Sequence, residues 1–214
     1  RIVIHLAGMN AAECNKCLIE ANKINSYGTK LLFEEAVKNK VEKFIFFSTA
    51  HIYGNLTGYI NEKSEPKPIS NYAISNHKAE KEIINKTNNV TQSYILRLSN
   101  AIGRPVEKNK SCWELVANDF AKQIITNQSI KLLSDGRQLR DFITIDNIFN
   151  LLNLIFEEKN NEENPMILNV GAGNSLSIRE LAYIFKEKAE EILGSEIKLL
   201  LNESNVSPSN DLFF

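Results

Sequence analysis

The sequence contains little cysteine, almost no net charge and no long apolar run. Of its 214 residues, 3 are cysteine, and the formal net charge is −1. Such a small, odd number of cysteines excludes a disulfide scaffold and indicates a reducing compartment, which we expect to be the cytoplasm. The near-zero net charge does not indicate binding to nucleic acid or to a membrane surface. No apolar run approaches the roughly 18 residues of a membrane span. We therefore expect neither nucleic acid nor a membrane as a partner.

The cysteines also give little support for a metal site. Cys14 and Cys17 have the spacing of a redox or metal pair. No second Cys or His pair accompanies them, whereas structural zinc needs four ligands. We therefore expect no metal.

Apolar strand patterns alternate with helical patterns through the first hundred residues. Short apolar runs at 2–7, 44–47 and 94–98 are typical of buried parallel strands. Helical patterns at about 18–39 and 72–86 lie between them. This βαβαβ order predicts an α/β fold with a doubly wound parallel sheet, in other words a partial Rossmann fold.

Beyond the third strand the alternation becomes less regular and predicts a smaller α+β lobe that binds substrate. We expect residues 1–100 to form a partial dinucleotide-binding domain, to which residues 145–173 return. Residues 101–144 and 174–214 would then form the substrate-binding lobe.

Two polar positions in the second half predict where helices begin. Thr144 precedes a helical pattern, and Ser177 opens a Ser-x-x-Glu sequence ending at Glu180, which has the form of a capping box. The apolar run 166–170 between these helices predicts a further strand.

Small or polar residues follow three of the predicted strands. They are Ala7 and Gly8, residues 48–50, and Ser99 with Asn100. Ligands of open parallel sheets bind beyond the carboxyl ends of the strands, so these residues together favour a ligand crevice. Taken singly, each segment could be only the start of a loop.

The residues after the second strand carry a recognisable pattern. Residues 49–54, Thr-Ala-His-Ile-Tyr-Gly, are followed about twenty residues later by Tyr-Ala-Ile-Ser at 72–75. This resembles the extended short-chain dehydrogenase/reductases, and more narrowly the NAD-dependent epimerase/dehydratase family that acts on nucleotide sugars. Five other segments resemble that family in the same order: His5–Gly8, Asn25–Thr29, Arg97–Gly103, Gly136–Ile143 and Asn169–Gly173.

The resemblance implies NAD or NADP as cofactor, a nucleotide sugar as substrate, epimerase or oxidoreductase activity, and a homodimer. It implies catalytic positions at Thr49, Tyr72 and Asn76. The implied cofactor contacts are Ala7, Gly8, Asn25, Ser48, Tyr72, Asn76 and Leu98. The implied substrate contacts are Ala50, His51, Asn100 and Arg140.

The sequence departs from the family pattern at three places. The Gly-x-x-Gly-x-x-Gly phosphate loop is absent, so we expect the chain to be an internal piece of a longer protein that binds NAD poorly alone. The family has Lys four residues after the tyrosine, where this sequence has Asn76; Lys78 would point elsewhere on a regular helix. Ala50 and His51 stand where the dehydratases carry acids, which argues against a 4,6-dehydratase.

Other interpretations of these residues are open. Thr49 could only cap the next turn, Tyr72 could pack as a helix-start aromatic, and Arg140 could pair with Asp141. At the level of function, the alternative to an enzyme is a catalytically weakened or inactive relative that binds a nucleotide or nucleotide sugar. A third possibility is an interaction module that dimerises through its helices.

Overall fold

Strands and helices alternate through the chain, and the predicted α/β class with a parallel sheet is confirmed. A computed structural model describes residues 1–106, 110–159, 163–202 and 212–213. The chain folds into two units: residues 1–56, 60–99 and 148–170 form the first, and residues 57–59, 100–147 and 171–214 form the second.

The elements up to the third long strand are β1 (Ile2–His5), α1 (Ala11–Lys16), α2 (Leu18–Ala21), a π-helical segment (Asn22–Tyr27), α3 (Gly28–Lys38), β2 (Lys43–Thr49), a 3₁₀ turn (Ala50–Tyr53), β3 (Gly58–Tyr59), α4 (Asn71–Asn85) and β4 (Gln92–Leu98). They are followed by β5 (Asn100–Ile102), a 3₁₀ turn (Lys110–Glu114), α5 (Val116–Asn127), β6 (Ser129–Lys131), β7 (Leu139–Thr144), α6 (Ile145–Glu157), β8 (Met166–Val170), β9 (Ser175–Ser177), α7 (Ile178–Leu193), β10 (Lys198–Leu200) and β11 (Leu212–Phe213).

The first unit is built on a four-stranded parallel sheet in the order β1, β2, β4, β8. Phe46 of β2 lies opposite His5 of β1 and Ile95 of β4. Strands covered on both faces are apolar throughout, which is why the runs at 44–47 and 94–98 are so uniform. Helices α3 and α4 complete this core with Phe33 and Ile83, both fully buried.

Strand β1 lies at an edge of this sheet in the part of the chain that the structure describes. Its partner is β2, and its other side is open. Three apolar side chains along and beyond the strand, Ile2, Ile4 and Leu6, are 41%, 40% and 65% exposed. The Gly-rich segment expected before β1 stays a prediction.

The second unit combines short strand pairs with two helices. Strand β7 pairs in parallel with β5 and antiparallel with β9, and β6 pairs in parallel with β10. A separate apolar core contains Phe120 and Ile124 of α5 together with Leu181 of α7. This unit therefore has its own hydrophobic interior.

Both predicted helix caps in the second half are confirmed. The Thr144 hydroxyl accepts the N–H of Asn147 at 3.2 Å. The Ser177 hydroxyl accepts the N–H of Glu180 at 3.1 Å, while the Glu180 carboxylate accepts the N–H of Ser177 at 2.7 Å. Each side-chain oxygen satisfies a backbone donor that a helix start leaves without a partner.

The helix predicted at about 18–39 is interrupted. Residues 22–27 form a π-helical segment, and the N–H of Gly28 donates to the carbonyl of Lys23, five residues back. Such a bulge rotates the side chains within it relative to a regular helix. In the second unit, a 3₁₀ turn occupies residues 110–114, and helix α5 begins after it, at Val116.

No helix within the described ranges is long and apolar enough to cross a membrane. Those same ranges contain no group of three or more His, Cys, Asp or Glu side chains that could hold a metal ion. No disulfide joins the three cysteines within these ranges.

Candidate active site

Helix α4 begins so that Tyr72 and Asn76 share one face. The hydroxyl of Ser70, its N-cap, accepts the N–H of Ala73 at 3.1 Å. This cap sets the first turn, and the four-residue spacing places Tyr72 and Asn76 about 40° apart around the helix. The two predicted catalytic positions on α4 therefore face the same side.

The Thr49 side chain lies close enough to Tyr72 to lower the pKa of its phenol. Thr49 is the last residue of β2 and is 5% exposed. Its oxygen also accepts the N–H of His51 at 3.2 Å, so Thr49 caps the 3₁₀ turn as well. The capping and the site interpretations of Thr49 are therefore compatible, because one hydroxyl makes both contacts.

The Tyr72 phenol is held in its neutral form. Burial raises its pKa above the ordinary value, the hydrogen bond from Thr49 works in the opposite direction, and the nearby Cys14 thiol raises it again. A neutral phenol donates a proton readily but accepts one poorly near neutral pH.

Asn76 supplies no positive charge that could lower the raised pKa of Tyr72. Its amide nitrogen donates to the carbonyl of Tyr72 at 2.9 Å, and the side chain is buried. Lys78 is exposed, as its spacing predicts, so it does not replace the missing ammonium. The site contains a phenol, a threonine hydroxyl and an amide.

A pocket of about 220 Å³ lies within the first unit, beside these residues. It is lined by Leu6, Ala7, Gly8, Met9, Asn10, Asn25, Phe46, Phe47, Tyr72 and Asn76. Five of the seven predicted cofactor residues are in this lining: Ala7, Gly8, Asn25, Tyr72 and Asn76. The other two are elsewhere: the Ser48 hydroxyl donates to Glu80, and Leu98 pairs with Thr49 and Val170 across the sheet.

Asn25 connects the loop after β1 to helix α4. Its side-chain oxygen accepts the N–H of Met9 at 2.7 Å, and its amide nitrogen donates to the Ser75 hydroxyl at 3.0 Å. A Cβ at Gly8 would lie 3.0 Å from the Asn25 oxygen, so this approach needs glycine. The π-helical segment carries Asn25, which explains how a helix side chain reaches the loop.

This lining combines polar and aromatic residues. The amides of Asn10, Asn25 and Asn76 and the Tyr72 hydroxyl can form hydrogen bonds, and Phe46 and Phe47 line the same pocket. The volume is below the roughly 300–1,000 Å³ of a typical small-molecule site, so these residues enclose only part of such a ligand.

The predicted substrate residues fall in both units. Ala50 is buried and His51 is exposed, both in the 3₁₀ turn of the first unit. Asn100 and Arg140 belong to the second unit, on the paired strands β5 and β7. The Asn100 amide donates to the carbonyl of Asp141 at 2.9 Å.

Arg140 donates to the carbonyl of Leu139 at 2.7 Å. Burial lowers its pKa. No ion pair between Arg140 and Asp141 is found among the described residues, so the surface-pair interpretation gains no support.

Sequence reasoning missed a buried polar network below the pocket. Glu80 is fully buried and accepts from Arg97 Nε at 3.2 Å and Arg97 Nη2 at 2.9 Å. The Ser48 hydroxyl donates to Glu80 at 2.5 Å, and Arg97 Nη1 donates to the Tyr53 hydroxyl at 2.7 Å. Helical spacing was the available signal, since residues 72, 76 and 80 recur every four positions on one face of α4.

Five lining residues were also missed: Leu6, Met9, Asn10, Phe46 and Phe47. For Asn10 a signal exists, because Asn10 and Glu13 form a capping box at the start of α1. The Asn10 oxygen accepts the N–H of Glu13 at 2.9 Å, and the Glu13 carboxylate accepts the N–H of Asn10 at 3.0 Å.

Comparison with known proteins identifies relatives of two activities. The ADP-L-glycero-D-manno-heptose-6-epimerase of Brachyspira hyodysenteriae is 31% identical over 170 residues, covering 77% of this chain and 52% of the relative. The human dTDP-D-glucose 4,6-dehydratase is 27% identical over 226 aligned positions, covering 99% of this chain and 59% of the relative. The chain therefore spans between half and three-fifths of these two relatives.

Solved structures with a similar fold include the UDP-N-acetylglucosamine 4-epimerase from Methanobrevibacter ruminantium in complex with UDP-N-acetylmuramic acid. Its TM-score is 0.83 at 26% identity, over 100% of this chain and 67% of that chain. Other structures of this fold hold NAD or NADPH.

Residues 1–171, well over half of the chain, match the model of the NAD-dependent epimerase/dehydratase family. This match confirms the resemblance read from the motifs, including NAD as the cofactor of the family. The chain belongs to the NAD-dependent epimerase/dehydratase family.

Proposed function

We propose that the full-length protein is an NAD(P)-dependent nucleotide-sugar epimerase or oxidoreductase in which Tyr72 is the acid/base and Thr49 binds the reacting sugar hydroxyl. The proximity of the two side chains carries this proposal, because Thr49 lies close enough to lower the Tyr72 pKa. This proximity supports a site in which the Tyr72 and Thr49 oxygens both contact the same sugar oxygen. The site would lie next to the pocket lined by Asn25 and Asn76.

Each residue has a task that its surroundings allow. A nicotinamide dinucleotide held by Ala7, Gly8, Asn25 and Asn76 would supply reversible two-electron oxidation of a sugar carbon. Tyr72 donates its proton to the carbonyl oxygen during reduction and takes a hydroxyl proton during oxidation. Because burial raises the Tyr72 pKa and Asn76 is uncharged, proton uptake is the slower task and becomes easier as the pH rises.

Dehydration of the sugar is not part of this proposal. Ala50 is 2% exposed and has no group that could transfer a proton. Elimination of water needs an acid for the leaving hydroxyl and a base for the neighbouring C–H proton. Epimerisation by oxidation and re-reduction, or simple oxidoreduction, needs no acid or base beyond Tyr72, and a bound nicotinamide would take up or supply the hydride.

The test is turnover of UDP- and dTDP-hexoses by the full-length protein, with Tyr72→Phe as the decisive variant. We expect Tyr72→Phe to lower turnover by about 10²-fold or more, since general acid–base catalysis contributes that much. Tyr183→Phe, at a half-exposed position in α7, is the control. Turnover that Tyr72→Phe leaves unchanged contradicts the catalytic assignment.

Asn76→Lys separates a weakened enzyme from a binding relative. The added ammonium would lower the Tyr72 pKa and raise turnover if the site still performs chemistry. The alternative, a protein that binds a nucleotide sugar without turnover, is supported by the neutral Asn76. It predicts measurable nucleotide-sugar affinity and no product from either protein.

We also propose a homodimer formed through α3 and α4. Apolar side chains are exposed on these helices and at the residue before α3: Tyr27, Leu31, Leu32 and Ile84 are 52%, 44%, 39% and 39% exposed. An isologous helix interface buries exposed apolar side chains of this kind. Light scattering should give a dimer that Leu31→Glu dissociates, whereas Ile125→Glu in α5 should leave it intact.

A cytoplasmic location is proposed on the state of the cysteines. Their number is small and odd, no disulfide joins them in the part of the chain that the structure describes, and Cys14 is buried. Free thiols persist in a reducing compartment. Thiol labelling of protein taken directly from the cell should find all three reduced, and a disulfide would contradict the proposal.

A further inference from the structure

We propose that the buried Glu80 carboxylate is a positioning residue, which holds α4 on β2 so that the Tyr72 hydroxyl meets the Thr49 hydroxyl. This inference rests on the proposed function, in which those two hydroxyls carry the chemistry. Its basis is a closed ring of contacts between one helix and one strand.

The ring begins on α4. Tyr72, Asn76 and Glu80 are four residues apart, so they follow one face of the helix within about 80° of rotation. Tyr72 and Glu80 are about 12 Å apart along the axis at 1.5 Å per residue. Tyr72 therefore marks the start of this face and Glu80 a point two turns further on.

Two strands hold Glu80 at its end of that face. The guanidinium of Arg97 on β4 donates at 3.2 and 2.9 Å, and the Ser48 hydroxyl on β2 donates at 2.5 Å. Glu80 and Arg97 are 0% and 3% exposed. A carboxylate so far from water needs these donors, and their directions define where its helix can lie.

Strand β2 closes the ring, because Ser48 and Thr49 are consecutive. The Ser48 hydroxyl donates to Glu80, and Thr49 lies close enough to Tyr72 to lower the pKa of its phenol. Two separate attachment points prevent α4 from sliding or rotating on β2, whereas one point does not.

The Ser48–Glu80 hydrogen bond can be removed by substitution without removing the other contacts of Glu80. Ser48→Ala removes it and leaves the Glu80–Arg97 pair in place. A shift of about 1 Å between reacting groups can cost about 10²-fold in rate. We therefore expect turnover to fall about 10- to 100-fold in Ser48→Ala, with the affinity for the cofactor unchanged.

Ser93→Ala is the matched control. Ser93 lies on the neighbouring strand β4, is 0% exposed, and its hydroxyl has no hydrogen-bond partner among the described residues. It therefore measures the effect of deleting a buried hydroxyl without cutting the ring. We expect turnover within twofold of the wild type.

A second readout does not depend on turnover. Tyrosine labelled with ¹³C at Cζ reports the hydrogen bond of the Tyr72 phenol, and Thr49→Val provides the resonance position without the Thr49 hydroxyl. In the full-length protein we expect Ser48→Ala to move the Tyr72 resonance toward that of Thr49→Val. Ser93→Ala should leave it at the wild-type position.

The outcomes separate this inference from the proposed function. A wild-type protein without turnover overturns the enzyme proposal, and the Tyr72 resonance then decides the positioning role alone. A Ser48→Ala protein with unchanged turnover and unchanged resonance overturns the positioning role and leaves the enzyme intact. Lost cofactor affinity in Ser48→Ala also overturns it, because Ser48 would then be a cofactor ligand.

Discussion

Arg97→Met should destabilise the first unit by about 3–5 kcal/mol, the usual cost of removing one partner of a buried ion pair. The variant leaves the Glu80 carboxylate fully buried with its Ser48 hydrogen bond but without a cation. It also removes the donor to the Tyr53 hydroxyl at 2.7 Å. The loss therefore exceeds the roughly 0.5–1.5 kcal/mol of a typical single hydrogen bond.

Removing both charges should restore most of this stability. In Arg97→Met/Glu80→Leu no buried charge is left unpaired, and apolar replacements of buried pairs are often neutral. The comparison pair is Lys86 with Glu34, whose nitrogen and oxygen lie 2.6 Å apart at side chains that are 35% and 40% exposed. Glu34→Gln should cost much less than Arg97→Met, because solvent screens such a pair.

The effect of Arg97→Met should also depend on pH. Burial opposes ionisation of Glu80, but the nearby His77 ring and the hydrogen bonds and charge of Arg97 outweigh it and lower the Glu80 pKa. A group whose pKa is lowered on folding stabilises the protein above its unfolded pKa of about 4.3 and loses this contribution as the pH falls through the folded value. The stability difference between wild type and variant should therefore narrow below about pH 4.

Urea unfolding of the four proteins, followed by fluorescence and circular dichroism, measures these differences. A cost below about 1 kcal/mol for Arg97→Met would refute the reasoning, and so would a double variant as unstable as the single one. The double variant also lacks the ring through Glu80, so it should be stable yet slow in turnover.

Two further predictions concern backbone positions of the fold. Lys43→Met should lower the free energy of unfolding by about 1–2 kcal/mol, because the Lys43 ammonium donates to three carbonyls at the end of α6, two of them at 2.5 and 3.1 Å. The control is Lys38→Met, which removes one partner of an exposed ion pair. Equal losses of stability in urea unfolding would contradict this prediction. Gly54→Ala should cost more than about 2 kcal/mol, since φ is +79° and a Cβ would lie 2.2 Å from the Lys67 carbonyl oxygen. Gly58→Ala, at φ +69° with nothing within 4 Å, should cost about 1–2 kcal/mol, and a similar value for both would refute the steric argument.

Local features of the fold are predictable from the sequence because they depend on neighbouring residues. The strand at 166–170 is found at its predicted bounds, and Ser177 with Glu180 forms the predicted capping box. The four-residue spacing from Tyr72 to Asn76 also needs only helix geometry, so their shared face follows from the sequence.

Features that depend on distant residues were not predictable in the same way. The π-helical segment turns Asn25 toward the loop at Met9, 16 residues away along the chain. Ser48 precedes Thr49 at a strand end, yet its hydroxyl binds Glu80 rather than lining the pocket. No local pattern distinguishes these orientations from their alternatives.

By itself, the sequence determined the α/β alternation, the family, and the replacement of the usual lysine by Asn76, because these depend on residue order and short-range periodicity. The tertiary structure alone decided that Thr49 meets Tyr72 and that Glu80 and Arg97 pair out of contact with water. Those contacts join residues 23 and 17 positions apart, so they exist only once the helix has packed on the sheet. Burial then determines the strength of each hydrogen bond and the pKa of each acid. Neither quantity follows from the neighbouring residues along the chain.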